Sequence, residues 1–228
     1  MVTCVSRYTR SRFLGWSNLN PEKVKVLPNT IGARRERKDA QSIRDELNLN
    51  DKKIILTVGR LSASEQYKGQ DRILACLPDL ISQQADIHYI IAGDGDDKPR
   101  IQQLANELGV SKHINFLGKV KDEKLDQLYQ AADLFAMPST GEGFGIVFLE
   151  AMAQGTPALG LNEDGSSDPL QDGQLGMVAK KETLCKEILK VLNSSPDKDL
   201  ATRVQKTFGK QNFNQHVNDL FEIFFLNT

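Results

Sequence analysis

The chain has 228 residues, of which 39% are hydrophobic and 26% charged, and its formal net charge at neutral pH is −1. This composition predicts a globular core, and the balanced charge argues against a nucleic-acid or membrane surface that depends on charge alone. No apolar run approaches the roughly 20 residues of a membrane-spanning helix, and we expect no secretory signal peptide because the first residues lack a basic start and a long apolar stretch.

The cysteines and histidines do not suggest disulfide, metal or catalytic-histidine chemistry. The three cysteines are far apart, odd in number and set in apolar surroundings, so we expect buried free thiols and a reducing, cytoplasmic compartment. The histidines lack metal-ligand spacing, and two stand at predicted strand starts, the wrong end of a parallel sheet for catalysis. These residues are Cys4, Cys76, Cys185, His88, His113 and His216.

The N-terminal segment is unusual as the beginning of a domain. Residues 2–6 have the pattern of a buried strand, residues 8–16 that of a short helix, and residues 24–29 begin a second strand. An α/β domain seldom opens with a strand that lacks a partner in its own chain. We therefore expect residues 1–20 to belong to a preceding domain.

Strands and helices alternate from residue 53 onward. Continuous apolar runs, typical of strands covered on both faces, alternate with helical patterns about six times. This alternation predicts an α/β fold with a Rossmann-like, doubly wound parallel sheet. The predicted strands cover residues 53–61, 88–95, 114–119, 133–137, 158–161 and 176–178, and helices are predicted over residues 33–52, 183–192 and 200–225, among others.

Glycine and polar residues follow five of these strands. Because ligands of open parallel sheets bind beyond the carboxyl ends of the strands, we expect all five loops to meet on one rim. The loops are residues 59–60, 93–95, 118–119, 139–145 and 162–165. This convergence predicts one ligand site.

Two carboxylates frame a glycine-rich turn after the fourth strand. Residues 139–150 read Ser-Thr-Gly-Glu-Gly-Phe-Gly-Ile-Val-Phe-Leu-Glu. The glycines let a ligand approach the backbone closely, and a helix that begins near Gly145 directs its N–H groups and the positive end of its dipole at the same place, which suits an anion. Glu142 lies in the turn and Glu150 about one helical turn into the helix. The two carboxylates are placed to bind hydroxyl groups on either side of a diphosphate.

This segment resembles the Glu-x7-Glu signature of the retaining glycosyltransferases of family 4, which have the GT-B fold. In that family the first glutamate contacts the donor sugar and the second holds the ribose hydroxyls. The resemblance implies these roles for Glu142 and Glu150. It also implies that the backbone between them holds the diphosphate, at Gly143, Phe144, Gly145, Ile146 and Val147.

The resemblance extends to the loop after the first strand of the sheet. Residues 59–61 read Gly-Arg-Leu and residues 68–69 read Lys-Gly, similar to a family pattern whose arginine and lysine contact the phosphates. Fixed positive charge there would stabilise the negative charge that builds on a departing diphosphate. The resemblance implies catalytic roles for Arg60 and Lys68, together with Glu142, and a donor contact at Gly59.

The loop after the third strand resembles the family's base-binding turn. Residues 118–120 read Gly-Lys-Val, and in the family this turn contacts the uracil or guanine mainly through its backbone. Donor contacts are therefore implied for Lys119 and Val120. The identity of the base cannot be read from these side chains.

The ends of the chain resemble parts of a longer enzyme. Residues 5–10 and 24–29 are similar to the end of the N-terminal half of a GT-B enzyme and to the linker that follows it. We therefore expect residues 1–20 to be a remnant of that half, residues 21–205 to form the nucleotide-sugar-binding domain, and residues 206–228 to be a helix that crosses back to the missing half.

The resemblance implies the donor-binding half of a retaining, metal-independent glycosyltransferase. Such an enzyme moves a hexosyl group from a nucleotide-diphosphate sugar of the UDP or GDP type to an acceptor, here an unknown sugar or lipid. No metal and no cofactor other than this donor is implied, nucleic acid is not an expected partner, and the fragment is expected to be inactive alone. A peripheral membrane contact through the missing half is compatible with a cytoplasmic location.

Other interpretations stay open. The fold could serve as a non-catalytic nucleotide-binding or scaffold domain, or carry another GT-B activity such as a nucleotide-sugar epimerase or a phosphorylase. Asp94-Gly95-Asp96 has the form of a metal-binding Asp-x-Asp, although no second carboxylate cluster accompanies it and these charges suit a helix N-terminus. Gly93-x-Gly95 lacks the third glycine of a dinucleotide fingerprint. Residues 162–168 are expected to form a surface loop near the donor sugar.

Overall fold

The computed structural model describes residues 1–32 and 40–226, with side chains described as far as residue 223. The strands are β1 (Val2–Cys4), β2 (Val24–Val26), β3 (Lys53–Val58), β4 (Ile87–Ala92), β5 (Ile114–Gly118), β6 (Leu134–Ala136), β7 (Ala158–Leu161) and β8 (Met177–Ala179). The helices are α1 (Arg7–Leu14), α2 (Ala40–Glu46), α3 (Gln70–Gln83), α4 (Lys98–Glu107), α5 (Asp122–Ala131), α6 (Ile146–Ala153), α7 (Leu184–Leu192), α8 (Leu200–Phe208) and α9 (Lys210–Leu226). The first part of the helix predicted over residues 33–52 lies outside the described residues.

Six strands form one parallel sheet in the order β5-β4-β3-β6-β7-β8, which confirms the predicted doubly wound α/β fold. At the centre, Ile55 of β3 is paired with Tyr89 of β4 on one side and with Leu134 of β6 on the other. The chain builds outward from β3 to β5, then returns and builds the other way from β6 to β8. The strand order therefore reverses between β3 and β6, and such a reversal opens a crevice at the carboxyl ends of the strands.

Helices cover both faces of the sheet, which explains why the central strands are apolar throughout. On one face α2, α5, α6 and α8 bury residues such as Leu128, Phe148 and Val204. On the other face α3, α4 and α7 bury residues such as Leu77 and Ile188. Side chains that point to either face of β3 and β4 are thus removed from water, and burying this apolar surface is the main favourable term for the fold.

The N-terminal strand does have a partner within this chain. β1 pairs in parallel with β2, with Val2 opposite Val24, and α1 connects them. The expectation of an unpaired first strand is wrong because β1 and β2 form a two-stranded sheet of their own, separate from the six-stranded sheet. The assignment of residues 1–20 to a preceding domain stays a prediction.

The helix predicted over residues 200–225 is broken at Gly209. This residue has an extended backbone (φ −71°, ψ 164°) and forms an isolated β-bridge with Ile31. An added Cβ at this position would lie 2.3 Å from the carbonyl oxygen of Gln205, so glycine is required where α8 gives way to α9. Neither these two helices nor any other described helix is long and apolar enough to cross a membrane.

The prediction of three free thiols is wrong for two of the cysteines. Cys76 of α3 and Cys185 of α7 form a disulfide with a Cα–Cα distance of 5.2 Å, whereas Cys4 is free. The two helices pack side by side on one face of the sheet, which brings together residues 109 positions apart in the sequence. A disulfide typically stabilises a folded chain by about 2–4 kcal/mol. The cysteines therefore no longer argue for a reducing compartment.

Candidate functional site

The reversal of strand order places the loops after β3 and β6 side by side. β3 is followed by Gly59 and by the 3-10 turn Ala63–Lys68. Gly69 then adopts the left-handed conformation (φ +82°), and an added Cβ there would lie 2.3 Å from the carbonyl oxygen of Pro138. Glycine is thus needed where the first loop crosses the second. The crossing places Lys68, whose side chain is 12% exposed, beside the glycine-rich turn.

The glycine-rich turn leads directly into α6, as the sequence predicts. Gly145 precedes the helix with φ +81°, and among the described side chains none caps the helix N-terminus. The first N–H groups of α6 and the positive end of its dipole are therefore directed at this turn. Phe144 is 2% exposed and packs edge-on against Phe208, so its side chain is not available to a ligand. Ile146 is exposed and Val147 half-buried.

Three of the predicted site residues meet in one cluster of charges. The Lys68 Nζ lies 4.0 Å from the Glu142 Oε1 and 3.0 Å from the Glu65 Oε2. Arg60, which is exposed, donates a hydrogen bond to the other oxygen of Glu65. A Cβ atom added at Gly59 would contact the Lys68 side chain. Glu65 was not predicted, and the available signal was its position three residues before Lys68, the spacing of ion pairs in a helical turn.

The surroundings of Glu142 favour its neutral form. Burial raises the pKa of Glu142, and the nearby carboxylates of Asp164 and Glu65 act in the same direction, whereas Lys68 opposes them. The pKa of Tyr67 is also raised, first by burial and then by the charge of Glu142. A half-buried carboxyl with one cation and two like charges nearby is a candidate for contact with hydroxyl groups.

Glu150 lies in a different environment at the other end of the same motif. Its Oε2 accepts a hydrogen bond of 2.9 Å from the Tyr129 hydroxyl. Burial and the neighbouring carboxylate raise the pKa of Tyr129 well above the ordinary value, so the phenol remains a donor at neutral pH. Glu150 lines a cavity of about 240 Å³ together with Thr30 and Gln205.

A second cavity, of about 400 Å³, joins the β3 loop to the predicted base-binding turn. It is lined by Gly59, Arg60, Lys119 and Val120. Leu125 of α5 lines both this cavity and the cavity at Glu150, so the two are neighbours. The predicted donor contacts therefore follow one continuous margin of the sheet, from the base-binding turn through the β3 loop to the start of α6.

The three aspartates before α4 are bound by protein groups. Asp96 accepts a hydrogen bond from the Ala63 N–H, and Asp94 forms an ion pair of 3.5 Å with Lys98. Asp97, at the start of α4, accepts from Arg100, and this hydrogen bond lowers the pKa of the carboxyl. Among the described residues no group of three His, Cys, Asp or Glu is arranged to hold a metal ion.

Comparison with known proteins decides the family. A family model described as Glycosyl transferases group 1 matches residues 39–208. The chain belongs to this family. A GDP-mannose-dependent alpha-(1-6)-phosphatidylinositol monomannoside mannosyltransferase of Mycolicibacterium smegmatis is 34% identical over 189 residues, which are 78% of this chain and 48% of that protein. The chain thus spans about half the length of this relative.

Solved structures confirm the fold. HepE of Anabaena, crystallised in complex with UDP and glucose, matches with a TM-score of 0.80 at 22% identity and covers 97% of this chain and 63% of that one. Sucrose-phosphate synthase from Thermosynechococcus elongatus matches with a TM-score of 0.80 at 24% identity and covers 100% and 59% respectively. The six-stranded parallel sheet is that of the Rossmann-like half of a GT-B glycosyltransferase.

In this group 1 glycosyltransferase domain, sequence reasoning missed residues that hold the site in place. The prediction of a surface loop over residues 162–168 is wrong for residues 164–168, since Asp164 and Ser166 are buried against the glycine-rich turn, whereas Asn162 and Glu163 are exposed. Arg72 of α3 donates hydrogen bonds of 2.9 and 3.2 Å to the carbonyl oxygens of Pro138 and Tyr67, and so joins the loops after β6 and β3. Their sequence signals were weak, because Asp-Gly-Ser and a lone arginine are common in exposed turns.

Proposed function

We propose that the chain is the donor-binding half of a retaining, metal-independent glycosyltransferase that moves a hexosyl group from a nucleotide-diphosphate sugar to an acceptor. The observation that carries this proposal is the approach of Lys68 to Glu142, 4.0 Å apart, at the point where strand order reverses and beside the start of α6. A cation, a carboxyl group and a helix N-terminus in one place suit a sugar attached to a diphosphate.

In this proposal the positive groups act on the leaving diphosphate. Cleavage of the sugar–phosphate bond leaves negative charge on the diphosphate, and preorganised charge lowers the barrier most where it faces that developing charge. Lys68 is held by Glu65 and has little freedom to move, whereas Arg60 is exposed and can turn toward a ligand. The N–H groups at the start of α6 supply further donors.

The two glutamates bind opposite ends of the donor. Glu142 contacts hydroxyl groups of the sugar, which the oxygens of its carboxyl group can bind. Glu150, fixed by Tyr129, contacts the ribose hydroxyls. The cavity lined by Lys119 and Val120 receives the base. Related proteins support a donor of this kind, because one is named as GDP-mannose-dependent and a structural neighbour was crystallised with UDP and glucose.

Calorimetric titration of the 228-residue chain tests the donor site. We expect GDP or UDP to bind more tightly than GMP or UMP, because a diphosphate presents more negative charge to the α6 N-terminus and the cations. EDTA should leave the affinity unchanged if binding needs no metal. Equal affinity for the monophosphates and diphosphates, or no binding of either, would contradict the proposal.

Product analysis tests the transfer itself. We expect the 228-residue chain to transfer no sugar, because the proposed acceptor half is absent from it. A chain that also includes the preceding half should release nucleoside diphosphate and give a product with the anomeric configuration of the donor. Robust transfer by the 228-residue chain would show that the fragment interpretation is wrong, and an epimerised donor would favour the epimerase alternative.

A further inference from the structure

The turn after β7 binds the backbone of Glu142 through a buried carboxylate. Asp164 is 6% exposed, and its Oδ2 accepts hydrogen bonds of 2.8 Å from the Glu142 N–H and 2.7 Å from the Ser139 hydroxyl. Its Oδ1 accepts a bond of 2.9 Å from the Ser166 N–H. Burying a carboxyl group is costly unless donors surround it. Two of these three donors belong to the glycine-rich turn.

The residue after Asp164 binds the other backbone group of Glu142. The Gly165 N–H donates a hydrogen bond of 2.9 Å to the carbonyl oxygen of Glu142. An added Cβ at Gly165 would lie 2.2 Å from the carbonyl oxygen of Gly143, so a side chain there would force the two turns apart. Both backbone groups of Glu142 are therefore bound by consecutive residues of a neighbouring turn.

A third contact reaches the glycine-rich turn from the N-terminal segment. The buried Ser6 hydroxyl donates a hydrogen bond to the carbonyl oxygen of Gly143. The next residue, Arg7, donates from its N–H and its guanidinium to Asp168, with both bonds 2.8 Å long. The segment that carries Ser6 is thus fastened to the turn that carries Asp164.

We propose that Asp164, Gly165 and Ser6 are positioning residues that hold the Glu142 carboxyl group against the donor sugar. This inference rests on the proposed function. Asp164 and Gly165 bind the backbone of Glu142 and Ser6 binds that of Gly143, so these hydrogen bonds fix the turn without using the Glu142 carboxyl group. Their loss should therefore affect contacts with the sugar more than contacts with the nucleotide.

The test compares Asp164→Asn with Asp197→Asn. Asp197 is a matched control, because its carboxylate also accepts a hydrogen bond from the N–H two residues on but is exposed and bonds Arg203 rather than the glycine-rich turn. Affinities are measured by calorimetry for GDP-mannose against GDP and for UDP-glucose against UDP. We expect Asp164→Asn to weaken the preferred sugar nucleotide about tenfold and the matching nucleotide about threefold or less, with no change for Asp197→Asn.

Ser6→Ala should shift the same ratio in the same direction by a smaller factor, and it keeps the test usable if Asp164→Asn fails to fold. Amide hydrogen exchange, measured by NMR without ligand, gives an independent result. We expect the Glu142 N–H to exchange at least about tenfold faster in Asp164→Asn while the strand β3 amides are unchanged.

If Asp164→Asn weakened the binding of nucleotide and of sugar nucleotide by the same factor, the positioning role would be overturned and Asp164 would have a structural role. Unchanged protection of the Glu142 N–H would overturn it even if no nucleotide binds. If the wild-type chain binds no nucleotide while the Glu142 N–H loses protection in the variant, the proposed function fails, and the positioning of Glu142 by Asp164 stands without a donor role.

Discussion

Glu142 and Glu150 belong to one motif, yet different groups hold them in place. Glu142 lies among two other carboxylates and one nearly buried cation, Lys68, and its backbone is bound on both sides. Glu150 lies on a regular helix, and a neutral phenol donates to it. The first environment is set by strong opposing charges at a loop crossing, and the second includes a hydrogen bond from a neutral phenol.

The difference indicates how each end of the site should respond to change. Where charges oppose one another at low exposure, removing one leaves the others uncompensated, and the loss extends to stability as well as binding. Where a neutral group positions a carboxylate, removing the donor should leave most of the binding intact. The comparison can be tested at both ends.

Lys68→Met should have the largest effect. The change leaves Glu65 and Glu142 without their shared cation, so we expect the free energy of unfolding to fall by about 3 kcal/mol and diphosphate affinity to fall about tenfold or more. Denaturant unfolding and calorimetry measure both. Lys190→Met is the matched control, since Lys190 also pairs with a glutamate three residues earlier, at 3.5 Å, but is 65% exposed. If Lys68→Met and Lys190→Met lowered stability and affinity equally, the distinction between a nearly buried and an exposed lysine would be refuted.

Glu150→Ala should weaken nucleotide binding by about 1–3 kcal/mol, because charge-assisted hydrogen bonds to the ribose are lost. Tyr129→Phe removes one hydrogen bond to this carboxylate and should cost about 1 kcal/mol or less in affinity. Calorimetry with GDP and UDP compares the two variants. If Tyr129→Phe weakened binding as strongly as Glu150→Ala, the phenol would contact the ligand directly or support more of the site than the Glu150 side chain.

The smallest expected effect is a pH dependence at Glu142. Burial raises its pKa, so the folded state holds the proton more tightly than the unfolded state. The stability contributed by this residue is therefore full below the ordinary glutamate pKa and is lost as pH rises through the folded-state value.

Thermal unfolding between about pH 4 and pH 8 checks this sign. We expect the wild type to lose stability relative to Glu142→Gln as pH rises. Glu22→Gln, at an exposed position, controls for the loss of one negative charge. A difference that grows in the opposite direction would mean that Lys68 outweighs burial.

Much of the architecture was predictable because its signals are local. Apolar runs such as residues 53–58 are typical of strands covered on both faces. Their alternation with helices favours a parallel sheet over most other topologies. The glycine-rich turn and the start of α6 could be placed for the same reason, since positive φ and helix initiation depend on neighbouring residues. Shared strand polarity then predicted that Lys68 and Glu142 lie on one rim.

The sequence alone therefore determined the fold class, the family resemblance and the margin of the sheet where the site lies. The tertiary structure decided the disulfide between Cys76 and Cys185, the pairing of β1 with β2 and the binding of Glu142 by Asp164. Each of these depends on which distant segments pack together and on how far water is excluded between them. Residues more than twenty positions apart carry no local sign of that contact, so a buried carboxylate and an exposed one look alike until the chain has folded.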